Sequence, residues 1–164
     1  MTQRHAEGGA MERLGKALDW PPVWTLAMVL LAALAGWALP WRGLGAAGAA
    51  LGLGLALAGI ALMAAAVAQM ARARTTVIPR RAPSSLVTGG VFGFSRNPIY
   101  LGDALVIAGA CLGFHAAYAL PLVWVFMRVI QRRFIAGEEA RLIEGFGAEY
   151  GLWAGRVGRW FGRH

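Results

Sequence analysis

The chain has 164 residues, of which 58% are hydrophobic and 15% are charged. Soluble domains carry about 25% charged residues, so this composition argues against a soluble domain and predicts an integral membrane protein. Lys and Arg outnumber Asp and Glu by 16 to 8, which gives a net charge of +8. These charges fall between long apolar runs, as topology-setting charges do, and we therefore predict no nucleic-acid partner.

The residue types that commonly bind metals or form disulfides are few in this sequence and lie far apart. A single cysteine, Cys111, excludes an internal disulfide framework, and its apolar surroundings predict a core residue. The three histidines, at positions 5, 115 and 164, show no zinc spacing, so we predict no metal site.

The first half of the chain contains two predicted membrane spans. Residues 1–20 are polar and are predicted to lie on the membrane surface. Pro21-Pro22 then opens an apolar run that continues to Leu39, and a second run extends from Leu44 to Met70. Gly48 and Gly52 form a GxxxG pattern, which predicts either a dimer face or close packing within the bundle.

The second half begins with a long basic loop over residues 71–97, whose length is typical of a functional loop. A third apolar run extends from Pro98 to about Phe114, and a fourth from Pro121 to near Ile135. An amphipathic helix follows. The tail interleaves Trp153, Val157, Trp160 and Phe161 with Arg156, Arg159 and Arg163, a pattern that predicts contact with anionic lipid.

The predicted fold class is all-α: a membrane bundle of about four transmembrane helices plus a cytosolic C-terminal amphipathic helix. Residues 1–164 form one membrane domain, in which 1–70 comprise the surface segment and two spans, and 71–164 the loop, a helical hairpin and the C-terminal helix. Every Lys and Arg except Arg42 falls on the side of both termini and the long loop. The positive-inside rule places that side in the cytoplasm, and we predict a multi-pass protein of a bacterial inner membrane.

Two polar clusters meet at this predicted cytoplasmic face. The first is Ser95-Arg96-Asn97-Pro98-Ile99-Tyr100-Leu101-Gly102, and the second is Glu138-Glu139-Ala140-Arg141-Leu142, followed by Phe146-Gly147-Ala148-Glu149-Tyr150. Together with Leu86-Val87-Thr88-Gly89-Gly90, this ordered set resembles the isoprenylcysteine carboxyl methyltransferase and phospholipid methyltransferase superfamily. The resemblance covers roughly residues 75–160.

The resemblance implies S-adenosylmethionine as the cofactor, bound at the cytosolic membrane edge, and a lipophilic acceptor that enters from the bilayer. The residues that match the two motifs are Asn97, Pro98, Tyr100, Gly102, Glu138, Glu139 and Leu142. Asn97 stands where the prenylcysteine enzymes usually have His. Ala136-Gly137 replaces the charged residues of the eukaryotic enzymes, whose arginine for the substrate carboxylate has its nearest counterparts in Arg132 and Arg133.

Each of these residues also has a structural interpretation. Adjacent glutamates on a helix point about 100° apart, so we expect one of Glu138 and Glu139 to face the cofactor ammonium. We expect the other to be solvated or paired with Arg132, Arg133 or Arg141. Gly90 is either a turn glycine or a point of close approach to the cofactor. Asn97 either contacts the cofactor or caps the third span. Tyr100 is either a cofactor contact or an interfacial anchor.

The candidate catalytic residues are Asp103 and Arg133. Asp103 lies about one turn inside an apolar helix, where a carboxylate is costly unless it faces a polar pocket or water. A carboxylate or thiolate acceptor needs no general base, whereas an ammonium acceptor needs one, and Asp103 is the first candidate. Arg96 is interpreted most simply as a topology charge.

Two other functions fit parts of the pattern. Tyr100-Leu101-Gly102-Asp103 also resembles the segment of NADPH-dependent membrane sterol reductases, although the Glu-Glu-x-x-Leu pattern favours the methyltransferase. A four-span transporter or scaffold is the non-enzymatic alternative, but the chain shows no internal repeat. The acceptor stays open among prenylated thiols or carboxylates, aminophospholipids and small apolar thiols, and membrane lipids are the expected surroundings.

Overall fold

The computed structural model describes residues 20–41, 44–76 and 84–162, and these residues form helices and connecting turns without a β-strand. Nearly all of the predicted surface segment 1–20, and the middle of the predicted loop 71–97, lie outside the described residues.

Five α-helices are present in the described residues, of which four follow the four predicted apolar runs and the fifth is the predicted amphipathic helix. They are α1 (Pro21–Ala38), α2 (Gly45–Arg72), α3 (Pro98–Gly113), α4 (Pro121–Ile130) and α5 (Ala136–Ala154). Three of them begin at a proline, whose fixed φ and missing N–H suit the first helical position. A π-helical turn, Gln131–Ile135, joins α4 to α5 without a break.

Within the described residues, α1 and α2 are long and apolar enough to cross a membrane. Only 22% of the apolar window of α1 and 17% of that of α2 is buried inside the protein, so most of their side chains face outward, as a lipid-facing surface requires. The third apolar helix, α3, is shorter. The arrangement of four spans therefore stays a prediction.

Glycines bring α2 and α3 into backbone contact. A Cβ placed on Gly52 would lie 2.6 Å from the carbonyl oxygen of Gly109, and one on Gly102 would lie 2.6 Å from that of Gly59. Small residues allow helix backbones to approach in this way. Gly52 of the GxxxG pattern thus serves packing within the bundle, the second of its two interpretations.

Two hydrophobic cores hold the helices together. The first joins α1, α3, α4 and the π-helical turn, through Met28, Ala32, Tyr100, Ala104, Ile107, Cys111, Phe126, Ile130, Phe134 and Ile135. The second joins α2, the loop and the C-terminal region, through Ala66, Phe92, Tyr150, Trp153 and Val157. The prediction that Trp153 and Val157 lie on lipid is therefore wrong: both are buried in the second core, Trp153 on α5 itself and Val157 directly after it.

Candidate functional site

A cavity of about 350 Å³ opens where α1, α3 and α5 begin and α2 ends. Its volume lies within the usual range of small-molecule sites. The polar residues of its lining include Arg96, Asn97, Tyr100, Asp103, Glu138, Glu139, Arg141 and Tyr150. The apolar residues include Trp20, Met63, Met70, Leu86, Val87, Phe92, Leu142 and Trp153.

The first polar contact in the cavity joins the start of α3 to the start of α5. The Tyr100 hydroxyl donates a hydrogen bond of 2.8 Å to Glu138 Oε1. Tyr100 is only 8% exposed and packs in the first core, so its ring is fixed and its hydroxyl orients the carboxylate. Asp103 and Arg141 lie within electrostatic range of the same hydroxyl.

The second polar contact is a three-residue ion cluster around Glu139. Arg159 binds the Glu139 carboxylate with both oxygens engaged, Nε to Oε1 at 2.9 Å and Nη2 to Oε2 at 2.7 Å. Arg96 Nη1 lies 3.2 Å from Oε1 of the same carboxylate. The hydrogen bonds from Arg159 to Glu139 raise the pKa of this guanidinium, which therefore stays charged.

The loop before α3 is tied to the C-terminal segment Gly155–Gly162. Arg96 N–H donates to the Gly158 carbonyl at 3.0 Å, and Asn97 Nδ2 donates to the Arg159 carbonyl at 3.0 Å. Arg96 Nη1 also donates to the Tyr150 hydroxyl at 2.9 Å. Burial and the nearby Glu139 raise the pKa of Tyr150, so its hydroxyl stays neutral.

A family model described as phospholipid methyltransferase matches residues 47–149, which is more than half of the chain. The chain belongs to the phospholipid methyltransferase family. The family is part of the isoprenylcysteine carboxyl methyltransferase-like superfamily, so the resemblance found in the sequence is confirmed. Membership indicates a membrane methyltransferase. No curated protein and no solved structure shows a significant match to the chain.

Six of the residues predicted as a methyltransferase site line the cavity together: Asn97, Pro98, Tyr100, Asp103, Glu138 and Glu139. Both glutamates line it, rather than one of them. Glu139 pairs with Arg159 and Arg96 instead of one of the three predicted arginines, because the C-terminal segment brings Arg159 onto this carboxylate. Asn97 makes no side-chain cap on α3, and its amide binds the C-terminal segment instead.

The other three predicted site residues lie outside the cavity lining. Gly90 has a positive φ of 56° and faces the Gln69 side chain, as its turn interpretation implies. Gly102 packs against α2. Arg133 is exposed, and its guanidinium carbon lies 5.6 Å from the centre of the Trp24 ring. A direct part in the reaction for these three stays a prediction.

Reasoning from sequence missed Arg96, Arg159 and Trp153 as parts of this site. Trp153 lines the cavity and donates from Nε1 to the Phe92 carbonyl at 3.1 Å. Arg159 pairs with Glu139, twenty positions earlier in the sequence. The sequence around Arg159 resembles that of a lipid-facing tail. Only the spacing of Leu142, Phe146 and Tyr150, which places one face of α5 against the second core, signalled that this region turns inward.

Proposed function

We propose that this membrane methyltransferase uses S-adenosylmethionine and methylates a lipophilic acceptor in the cavity between α1, α3 and α5. The observation that carries the proposal is the Tyr100–Glu138 hydrogen bond at the wall of a cavity in a member of the phospholipid methyltransferase family. The bond aims a fixed carboxylate into a site that is otherwise largely apolar.

The side chains around the cavity fit this cofactor by their chemistry. Glu138 supplies a negative charge for the ammonium of the methionyl part, and Phe92, Trp153 and Leu86 supply apolar and aromatic surface for the adenine ring. Trp20 and Pro22, at the start of α1, also line the cavity. A lipophilic acceptor would reach the site along this apolar side.

Methyl transfer from a sulfonium requires no covalent bond between the protein and either reactant. When bound, S-adenosylmethionine would supply the methyl group on its sulfonium sulfur, and S-adenosylhomocysteine would be the leaving thioether. The residues of the chain hold both reactants close and exclude bulk water, and such positioning can account for about 7–11 kcal/mol of the barrier. Asp103 lines the same cavity and faces Thr25 of α1. It is placed to take the proton if the acceptor is an ammonium group.

Thermal unfolding of the purified protein, measured with each candidate cofactor added, tests which cofactor the protein binds. A ligand at 100 times its Kd stabilises the folded state by about 2.7 kcal/mol, which for a chain of this length is a rise in Tm of roughly 5–10 °C. We expect this rise with S-adenosylmethionine and with S-adenosylhomocysteine. A rise with NADPH alone would instead support the reductase.

The role of the Glu138 carboxylate in cofactor binding is tested by the variant Glu138→Gln. Glu144→Gln is the matched control, because Glu144 is exposed on the same helix. Glu138→Gln should weaken S-adenosylmethionine binding by about tenfold or more, because a hydrogen bond or ion pair to a charged group contributes about 1.5–3 kcal/mol. Glu144→Gln should leave the affinity unchanged. Equal affinities of both variants and the parent protein would remove Glu138 from the site.

The acceptor is identified by incubating membranes with methyl-labelled S-adenosylmethionine and separating the labelled products. We expect the label in a lipid-soluble fraction that is absent when the Glu138→Gln protein is used. Label confined to water-soluble products would contradict a lipophilic acceptor.

A further inference from the structure

Arg128 carries an exposed charge on the outward face of α4. Phe126 and Ile130 of this helix are buried in the first core, whereas Trp124 and Arg128 are exposed on the opposite side, one helical turn apart. The guanidinium carbon of Arg128 lies 5.6 Å from the centre of the Trp124 ring, which is a cation–π contact. Within the described part of the chain, no carboxylate forms an ion pair with Arg128.

Two contacts with α1 fix the depth of Arg128 in the bundle. At one end, the Tyr118 hydroxyl donates to two carbonyl oxygens at the end of α1, at 2.6 and 2.9 Å. At the other end, the Arg133 guanidinium contacts the ring of Trp24, close to the start of α1. Arg128 lies between these two contacts along the chain, so its backbone is level with the middle part of α1.

This depth makes the charge of Arg128 unusual. The helix beside it, α1, is long and apolar enough to cross a membrane, and most of its surface faces outward. A charged side chain at the middle of such a span is costly in lipid, and residues of this kind are usually functional. An explanation of Arg128 therefore requires an anion that it can reach.

The direction of the Arg128 side chain shows where that anion would lie. Helical side chains tilt toward the N-terminus of their helix, and the contact with Trp124 shows that the guanidinium points that way. For α4 this direction leads away from the cavity, toward the end of the bundle at which Tyr118 binds α1. Trp124 is 65% exposed, so the guanidinium reaches outward over an open ring toward the lipid head groups at that end.

The described part of the chain offers no anion at this level. Its five carboxylates are Asp103, which faces Thr25 near the start of α1, and four glutamates on α5, which begins at the cavity. A second copy in the same membrane orientation would place these carboxylates at the cavity end as well. A lipid phosphate, by contrast, is present at the opposite membrane surface, and a guanidinium can bind it through two parallel hydrogen bonds.

We propose that Trp124 and Arg128 form a binding site for an anionic phospholipid of the leaflet opposite the cavity. Arg128 binds the lipid phosphate, Trp124 holds the guanidinium in place, and the neighbouring Val125, which is 39% exposed, supplies apolar surface for the lipid. An anionic lipid is preferred because a zwitterionic head group carries its own positive charge beside the phosphate. The site is separate from the cavity and does not depend on the proposed function.

Native mass spectrometry of the purified full chain in neutral detergent tests the site, because it counts bound lipids. The protein is titrated with dioleoylphosphatidylglycerol or dioleoylphosphatidylcholine, which differ only in the head group, and the Kd of the first bound lipid is determined. The variants are Arg128→Gln, Arg128→Lys and Trp124→Phe. Arg156→Gln is the matched control, because it also removes one exposed positive charge, from a side chain that donates to the Leu152 carbonyl beyond the cavity end.

The parent protein should bind phosphatidylglycerol about tenfold more tightly than phosphatidylcholine. Arg128→Gln should weaken phosphatidylglycerol binding by about tenfold and remove most of this preference, because it removes the hydrogen bonds from a charged donor to the phosphate. Arg128→Lys keeps the charge but loses the planar pair of donors, so its loss should be smaller. Trp124→Phe should weaken binding by about twofold to fivefold through the weaker cation–π contact, and Arg156→Gln should bind like the parent protein.

Equal affinities of the parent protein for the two lipids would overturn the proposal. An unchanged Kd for phosphatidylglycerol in Arg128→Gln would also overturn it, because the anionic lipid would then bind elsewhere on the chain. If Arg128→Gln does not fold, Arg128→Lys and Trp124→Phe carry the same comparison. A dimeric parent protein together with a monomeric Arg128→Gln variant in the same spectra would assign this face of α4 to a second copy and refute the lipid site.

Discussion

The contact between α2 and α3 provides a stability prediction with an internal control. A Cβ at Gly52 would lie 2.6 Å from both the Gly109 oxygen and the Gly113 nitrogen, which are backbone atoms that cannot rotate away. A Cβ at Gly54, two residues along the same helix, would meet no atom within 4 Å. The variants Gly52→Ala and Gly54→Ala therefore make the same chemical change in the same helix and differ in packing.

The expected free energies follow from this difference. Replacing Gly by Ala in a helix interior stabilises by roughly 0.5–1 kcal/mol, and Gly54→Ala should show that gain. Gly52→Ala adds an overpacking cost of about 1–3 kcal/mol, because the two backbones must separate. At about 2–4 °C per kcal/mol, the Tm of Gly52→Ala should lie about 2–12 °C below that of Gly54→Ala.

Thermal unfolding in detergent measures the two Tm values, and size-exclusion chromatography measures the oligomeric state of both variants. A Tm of Gly52→Ala equal to or above that of Gly54→Ala would refute the close packing of α2 and α3. A change of oligomeric state in Gly52→Ala alone would instead revive the dimer-face interpretation of the GxxxG pattern. Because α3 carries Asn97 and Tyr100 at its start, Gly52→Ala should also weaken cofactor binding.

Three further predictions concern separate parts of the chain. Gly147 has a φ of 46° inside α5, so Gly147→Ala should destabilise by about 1–2 kcal/mol, whereas the control Gly151→Ala should not; chemical unfolding compares them. Tyr118 donates to the Ala35 and Leu39 carbonyls at the end of α1, and Tyr118→Phe should lower stability by about 0.5–1.5 kcal/mol without changing the cofactor-induced shift in Tm. Asp103→Asn should keep that shift but lower the rate of labelled-methyl transfer to an amine acceptor; an unchanged rate would exclude Asp103 as a base.

The helices were predictable because their signals are local. Pro21, Pro98 and Pro121 each stand at the first position of a helix, and the apolar runs behind them are uninterrupted. The convergence of Tyr100, Asp103, Glu138 and Glu139 on one cavity was also accessible, since the distribution of charge places the start of α3 and the start of α5 at the same end of the bundle.

The C-terminal segment was not predictable in the same way. Arg159 and Trp153 alternate with other basic and aromatic residues. This pattern is equally typical of a helix that lies on lipid and of a segment that packs against the protein. What decides between them is a set of partners far away in the sequence: the Glu139 carboxylate for Arg159, and the Phe92 carbonyl for Trp153. No local periodicity encodes such contacts.

The two adjacent glutamates show why this segment matters for function. Successive helical side chains point about 100° apart, so a flat cavity would meet only one of them. Here both glutamates line the cavity, and each has its own partner: Glu138 accepts a hydrogen bond from Tyr100, and Glu139 binds Arg159 of the C-terminal segment. Glu139 is held in an ion cluster with Arg159 and Arg96, whereas Glu138 accepts a hydrogen bond from the Tyr100 hydroxyl. A chain that ended at residue 149 would keep both glutamates and the whole family match but lose Arg159, and Glu139 would then draw on Arg96 for its counter-charge.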